Sequence, residues 1–132
     1  MDTTYAVLLL VTAVGTTAYW VDFFARGSVN VVEEDWYVKF ERSFPAADGF
    51  MAVCAAVAGV GLLADQGWGV AFALVAAGTL VFLALMDITF NLENRLYRFL
   101  DTSWPMRAEL VINAWTLGLG ASLLVSMVGR VG

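Results

Sequence analysis

The residues of this sequence that could do chemistry are carboxylic acids and carboxamides placed beside long apolar runs. Asp22, Asp48, Asp87 and Glu109 each lie near the end of such a run, and Asn113 lies one helical turn beyond Glu109. An acidic residue at the centre of a bilayer costs about 2.5–3.5 kcal/mol on insertion scales, and less near the edge. Acidic residues retained there usually face the interior of a helix bundle, which makes them candidates for function.

Further polar residues follow the third apolar run at helical spacing. Asn91 and Asn94 come after Asp87, and the same spacing continues to Arg98 and Asp101. This stripe predicts that the third helix continues beyond the bilayer as a polar rod. The predicted ligand-binding residues are therefore Asp22, Asp48, Asp87, Asn91, Asn94, Glu109 and Asn113.

Carboxylates that converge in an apolar bundle would bind a cation or share protons, because they cannot all be charged and unpaired. The alternative is that they are solvated, cap helices or pair with nearby arginines. We favour that alternative for the acids in loops and at the polar ends of helices, namely Glu33, Glu34, Asp35, Glu93 and Asp101. Neither a metal nor a cofactor can be identified from the sequence.

The composition excludes several kinds of site. The 132 residues contain no histidine, which argues against His-ligated haem, His-based metal sites and Ser-His-Asp catalysis. The single cysteine, Cys54, lies in an apolar run and allows no intrachain disulfide. A net charge of −5 with few basic residues argues against a nucleic-acid partner.

Four apolar segments are long enough to cross a membrane. Hydrophobic residues make up 61% of the chain and charged residues 14%, which is too little polar surface for a water-soluble domain. A membrane span needs about 20 mostly apolar residues. The sequence therefore predicts an all-α integral membrane protein, a four-transmembrane-helix bundle in a single domain of residues 1–132, with the lipid bilayer around it. The predicted spans are residues 5–24, 45–64, 69–86 and 108–128.

Basic residues are concentrated in two of the three loops. Six of the seven basic residues lie in the first and third loops, and Arg130 lies at the opposite face. The positive-inside rule then places those two loops in the cytoplasm and both termini outside. We expect a multi-pass protein of the plasma (inner) membrane whose first apolar run is retained as a span.

The two halves of the chain resemble each other. Tyr37, Ser43 and Pro45 match Tyr97, Ser103 and Pro105 at a constant offset. Beyond one inserted residue, Asp48 matches Glu109, and upstream Asp22 matches Asp87. This pattern predicts two tandem hairpins, residues 1–64 and 65–132, related by a pseudo-two-fold axis along the membrane normal.

The first loop has an amphipathic pattern. Val32, Trp36, Phe40 and Phe44 recur every four residues, with charged residues mostly on the other side. This spacing predicts a short helix over residues 31–44 that lies in the inner interface of the membrane.

Three functions remain open. The first is a small membrane protein that binds or transports a proton, a cation or a small cationic ligand at an acidic cytoplasmic-side site between the hairpins; four spans enclose little space, so a wide pore would need a homo-oligomer. The second is an enzyme acting on a lipid or isoprenoid at the inner interface, for which we find neither an aspartate-rich motif nor a phosphate loop. The third is a structural or accessory subunit of a membrane complex.

Overall fold

The computed structural model describes residues 2–27 and 30–131, and this part of the chain contains helices and turns without strands. Four long apolar helices confirm the predicted all-helical class. The α-helices are α1 (Asp2–Ala25), α2 (Asp35–Glu41), α3 (Pro45–Leu63), α4 (Gly67–Glu93) and α5 (Trp104–Met127), with short 3₁₀ helices at Leu96–Phe99 and Val128–Arg130.

The long helices have the dimensions and composition of membrane spans. The 24 residues of α1 extend for about 36 Å at 1.5 Å per residue, against a hydrocarbon core of about 30 Å. The segments long and apolar enough to cross a membrane are Asp2–Ala25, Asp35–Leu63, Gly67–Glu93 and Trp104–Arg130. Three of these segments are longer than the spans predicted from the sequence, because their helices continue into polar ends; the fourth, Asp35–Leu63, is longer because it includes α2, while α3 itself closely matches the predicted span 45–64.

Helix α2 is shorter than the amphipathic segment predicted over residues 31–44. It has seven residues and is separated from α3 by a turn before Pro45. Its most buried side chains are Tyr37 and Glu41, while Trp36 is largely exposed. The ring of Phe40 stacks on Phe90 of α4 with centroids 3.6 Å apart, so α2 packs against the end of the bundle.

Helix α4 ends earlier than its polar stripe predicted. It stops at Glu93, and Arg95 has a left-handed backbone with φ of 56°. Arg98 then lies in the 3₁₀ helix and Asp101 in the following turn. The expected continuous rod is therefore wrong beyond Glu93, because a left-handed residue redirects the chain out of the helix.

Consecutive long helices pack as antiparallel neighbours: α1 on α3, α3 on α4, and α4 on α5. Each of these interfaces includes a glycine in close contact with the neighbouring helix. A Cβ atom at Gly59 would lie 3.1 Å from the Ala6 carbonyl oxygen, and one at Gly120 would lie 3.0 Å from that of Ala77. Between α3 and α4, Gly61 and Gly69 face each other. Small residues at such positions let helix backbones approach closely in a membrane.

Polar contacts join α1 to α5 at the end of the bundle that carries the termini. Arg130 forms an ion pair with Asp2 at 2.8 Å. One turn further in, the Tyr5 hydroxyl forms a 2.8 Å hydrogen bond with the Ser126 hydroxyl. These contacts hold the first and last helices together at this end.

We expect Gly69→Ala to destabilise the fold, since its new Cβ would lie 2.6 Å from the backbone of Gly61 and Leu62. Overpacking of this kind costs about 1–3 kcal/mol. Thermal unfolding in detergent micelles measures the effect. Gly78→Ala is the matched control on the same helix, because its Cβ would meet no atom within 4 Å. Equal unfolding temperatures for the two variants would contradict the close packing of α3 on α4.

Candidate functional site

Three helices present polar pairs to the same point at the other end of the bundle. Helix α4 carries Asp87 and Asn91, and α5 carries Glu109 and Asn113. The third pair is Tyr37 and Glu41 on α2. In each pair the residues are four apart, so both side chains lie on one face of their helix. Because α4 ends and α5 begins at this end of the bundle, their polar residues meet there.

Glu41, Asp87 and Glu109 form a compact carboxylate cluster. Each contributes an oxygen, and these oxygens lie within 4.8 Å of one another. Glu41 and Glu109 are each only 4% exposed. Two unit charges at that separation repel each other by about 3 kcal/mol even at an effective dielectric constant near 20. The three groups therefore require protons or a bound cation to balance their charge.

Neutral hydrogen-bond donors hold the cluster in place. The Asn91 Nδ2 group donates to Glu109 Oε1 at 2.7 Å, and the Tyr37 hydroxyl donates to Glu109 Oε2 at 3.4 Å. Asn113 donates to the Tyr97 hydroxyl at 3.1 Å and also contacts the carboxyl group of Asp87. These contacts orient the side chains without supplying a positive charge.

Two buried acceptor atoms at the cluster have no hydrogen-bond partner, namely Glu41 Oε1 and Asn91 Oδ1. Asn91 is fully buried, and its amide nitrogen is already bonded to Glu109. A buried polar atom without a partner typically costs about 1–3 kcal/mol. Both atoms are acceptors, so a species that donates hydrogen bonds or carries positive charge would satisfy them.

The basic side chains form their ion pairs elsewhere. Within residues 2–27 and 30–131, the ion pairs join Arg26 to Asp22, Lys39 to Asp35 and Arg130 to Asp2. Arg107, the basic residue nearest to Glu109 in sequence, donates instead to the backbone carbonyls of Leu100 and Asp101. The carboxylate cluster is therefore not neutralised by an arginine or lysine in this part of the chain.

A cavity of about 560 Å³ extends from the cluster into the bundle. Its volume lies within the range of small-molecule sites, roughly 300–1,000 Å³. Five carboxylates line it: Asp22, Glu41, Asp48, Asp87 and Glu109. Most of the remaining wall is apolar and aromatic, and in the part away from the cluster Trp115 donates a 2.8 Å hydrogen bond to the Thr12 hydroxyl of α1. The cavity thus has one acidic end and one apolar end.

The cavity opens sideways between α1 and α5. Val11 of α1 is 51% exposed and Val111 of α5 is 66% exposed, yet both line the cavity. Gly15, one turn from Val11, also lines it, and a Cβ atom there would meet no neighbour within 4 Å. In a bundle that spans a membrane, an opening on this lateral face gives access from the hydrocarbon region.

The structure brings most of the predicted residues to this region and leaves one outside. Asp48 lines the cavity and accepts a 2.7 Å hydrogen bond from Trp20 Nε1. Asp22 lies at the cavity edge and pairs with Arg26 at 2.9 Å. Asn94 is exposed and donates back to the Phe90 carbonyl, so it lies away from the cluster.

Sequence reasoning did not select Glu41 or Tyr37 for the site. The amphipathic pattern of the first loop was defined by an aromatic face that contains Trp36 and Phe40, and Tyr37 and Glu41 lie outside that face. A usable signal was present, because Tyr37 and Glu41 are four residues apart and match Tyr97 and Asp101 in the second half of the chain. The structure places Tyr37 and Glu41 against α4 and α5, whereas Asp101 is exposed.

Comparison with known protein families, with curated proteins and with solved structures gives no significant match for this chain. The fold and the candidate site therefore rest on the chain's own residues. They describe a bundle with four helices long and apolar enough to span a membrane, and with an acidic cavity.

We expect Glu41→Gln to raise the stability of the unliganded protein. The substitution keeps the shape of the side chain and removes one of three crowded carboxylates, so the gain should be about 1–3 kcal/mol, no larger than the repulsion it relieves. Thermal unfolding at neutral pH measures the change. Glu33→Gln, an exposed position in the same loop, is the control. Lower stability for Glu41→Gln would show that this carboxylate supports the fold.

Proposed function

We propose that this chain is a membrane protein that binds a cation at the Glu41, Asp87 and Glu109 cluster, as a binding or transport protein and not as an enzyme. The observation that carries the proposal is the juxtaposition of three carboxylates, two buried and one partly buried, without a basic partner among the described residues. Charge balance requires protons or another cation at this point. The cavity beside the cluster supplies a route and a space for such a species.

The two unpartnered acceptors support the same proposal. Glu41 Oε1 and Asn91 Oδ1 lie in a buried region that is otherwise well supplied with hydrogen bonds. A structural cluster would be expected to satisfy its own acceptors, whereas a binding site leaves some for its ligand. This contrast, together with the cavity, weighs against a purely structural or accessory role.

A membrane enzyme acting on a lipid or isoprenoid is the second candidate. The lateral opening and the apolar wall favour it, because an apolar substrate could enter from the bilayer with its polar group toward Asp87 and Glu109. Carboxyl groups in that position could transfer protons. We rank it second, since the geometry supports the binding of a cation and does not specify a bond to be broken.

A cation-binding experiment tests the leading proposal. The purified protein in lipid nanodiscs is titrated by calorimetry with Na⁺, Ca²⁺, Mn²⁺ and butylammonium, with proton release followed in weak buffer. We expect at least one cation to bind near one per chain and to displace protons. Glu109→Gln and Asp87→Asn should each weaken its binding about tenfold or more, the usual effect of losing one charged partner.

Glu93→Gln is the matched control, because Glu93 is an exposed acid at the end of α4 outside the cluster. It should leave binding unchanged. The proposal fails if none of these cations binds and none releases protons, or if Glu93→Gln and Glu109→Gln have equal effects.

We further propose that the acidic end of the bundle faces the cytoplasm, with both termini outside, in the inner membrane. The distribution of basic residues supports this orientation, since six of seven lie at the acidic end. The tandem-hairpin origin is part of the same proposal. Its support includes the matching roles of Gly59 and Gly120, each of which packs against the first long helix of its own half.

Cysteine labelling in intact cells tests the orientation. The native Cys54 is buried and should react little, so single cysteines can be added to the natural sequence. Asp65→Cys, in the short turn between α3 and α4, should react with a membrane-impermeant maleimide added outside. Glu93→Cys should react only after the membrane is opened. The reverse pattern would invert the proposed topology.

A further inference from the structure

We infer that the cation bound at the cluster is the protonated amine of an amphipathic molecule, which enters from the bilayer between α1 and α5 and lays its apolar body along the cavity. This inference rests on the proposed cation-binding function and adds the class of ligand. It is carried by the shape of the cavity, the character of its walls and the acceptor atom Glu41 Oε1 left open at its acidic end.

The volume of the cavity argues against a bare ion. A proton or a metal ion would occupy the space between the three carboxylates, whereas the cavity of about 560 Å³ continues past them to Thr12 and Trp115. Its wall between these points is formed by apolar side chains such as Leu80, Leu83 and Ile112. An apolar chamber of this size fits the hydrocarbon body of a small organic molecule.

The polar contacts at the acidic end favour an ammonium group over a metal. Calcium takes six to eight oxygen ligands, and magnesium requires near-octahedral coordination. Here both oxygens of Glu109 already accept hydrogen bonds from Asn91 and Tyr37. The acceptors without partners are Glu41 Oε1 and Asn91 Oδ1. An ammonium carries up to three N–H donors, which suits the open Glu41 Oε1 and the neighbouring carboxylates that line the cavity.

Aromatic residues line the path beside the acids. Tyr19, Trp20 and Trp115 all contribute to the cavity wall. Aromatic faces attract ammonium groups through cation–π contacts and also pack well on apolar groups. The cavity therefore suits both parts of an amphipathic amine.

The proposed ligand would enter through the lateral opening at Gly15. The face of α1 that lines the cavity carries Val11, Gly15, Ala18 and Asp22 at helical spacing. Gly15 leaves a gap in this face, because no atom lies within 4 Å of the position that a Cβ would occupy there. A large side chain at residue 15 would narrow the opening.

Three probes separate the contribution of the amine to binding from that of the apolar body. 4-Phenylbutylamine carries both groups, 4-phenylbutan-1-ol lacks the amine, and butylamine lacks the phenyl group. Binding to the full chain in nanodiscs is followed by tryptophan fluorescence, since Trp20 and Trp115 line the cavity, and free aqueous concentrations are corrected with empty nanodiscs. We expect 4-phenylbutylamine to bind about tenfold or more tightly than either other probe, because each lacks one of the two interactions.

Two variants test which residues interact with the amine and which with the apolar body. Glu109→Gln should weaken both amines about tenfold and leave the alcohol unchanged. Gly15→Phe should weaken 4-phenylbutylamine by a similar factor and leave butylamine unchanged. Gly78→Phe, at a glycine of α4 that is equally open but does not line the cavity, is the control and should have no effect. Thermal unfolding establishes that each variant is folded.

The outcomes distinguish this inference from the proposal on which it rests. Equal affinity for butylamine and 4-phenylbutylamine, with no effect of Gly15→Phe, would overturn the amphipathic ligand and leave a site for small cations. Binding of Ca²⁺ or Mn²⁺ that depends on Glu109, without binding of either amine, would likewise overturn the amphipathic ligand and leave a site for small cations. If neither metals nor amines bind and no protons are released, both the amphipathic ligand and the proposed cation-binding function are wrong.

Discussion

Three carboxyl groups held close together inside an apolar helix bundle impose the constraint that organises this protein. Glu41, Asp87 and Glu109 approach within 4.8 Å, and hydrogen bonds from neutral donors fix Glu109 in place. The donors orient the carboxylates but do not cancel their charge. Protons or an added cation must therefore balance the charge of the cluster. The cavity beside the cluster supplies space for such a species.

The cavity exists because one interface of the bundle is built differently from the other three. Where α1 meets α3, α3 meets α4 and α4 meets α5, glycines allow close backbone contact. On the remaining side, Gly15 of α1 lines the cavity and has no neighbour within 4 Å of a Cβ position. A strictly two-fold arrangement of hairpins would make the α1–α5 interface equivalent to the α3–α4 interface. The open side therefore departs from such symmetry, and this is where the acids are reached.

Much of the fold could be predicted because it depends on length and polarity alone. Long apolar runs can satisfy their backbone groups in a bilayer only as helices, so the four long helices followed directly. Alternating direction then puts the ends of α1 and α4 beside the starts of α3 and α5. That simple topology brings Asp48, Asp87 and Glu109 to one end of the bundle, as the sequence suggested.

The remaining features depend on packing that the sequence pattern does not specify. The end of α4 is set by a left-handed Arg95, and neither glycine nor proline marks that position. In the first loop, both a Trp36–Phe40 face and a Tyr37–Glu41 face have helical spacing. Glu41 is buried because α2 docks on α4, where Phe40 stacks on Phe90.

Glu41 differs from the other two acids in the way it is held, and this links the charge of the site to the structure around it. Asp87 and Glu109 belong to long helices fixed along their length by neighbours, whereas Glu41 belongs to a helix of only seven residues. Repulsion within the cluster acts against the docking of α2, and the aromatic stack opposes that repulsion. A bound cation reverses the sign of this electrostatic contribution, because it attracts Glu41 toward α4 and α5. Under the proposed function, the segment that completes the site is therefore also the segment whose attachment depends most directly on the charge of a bound cation.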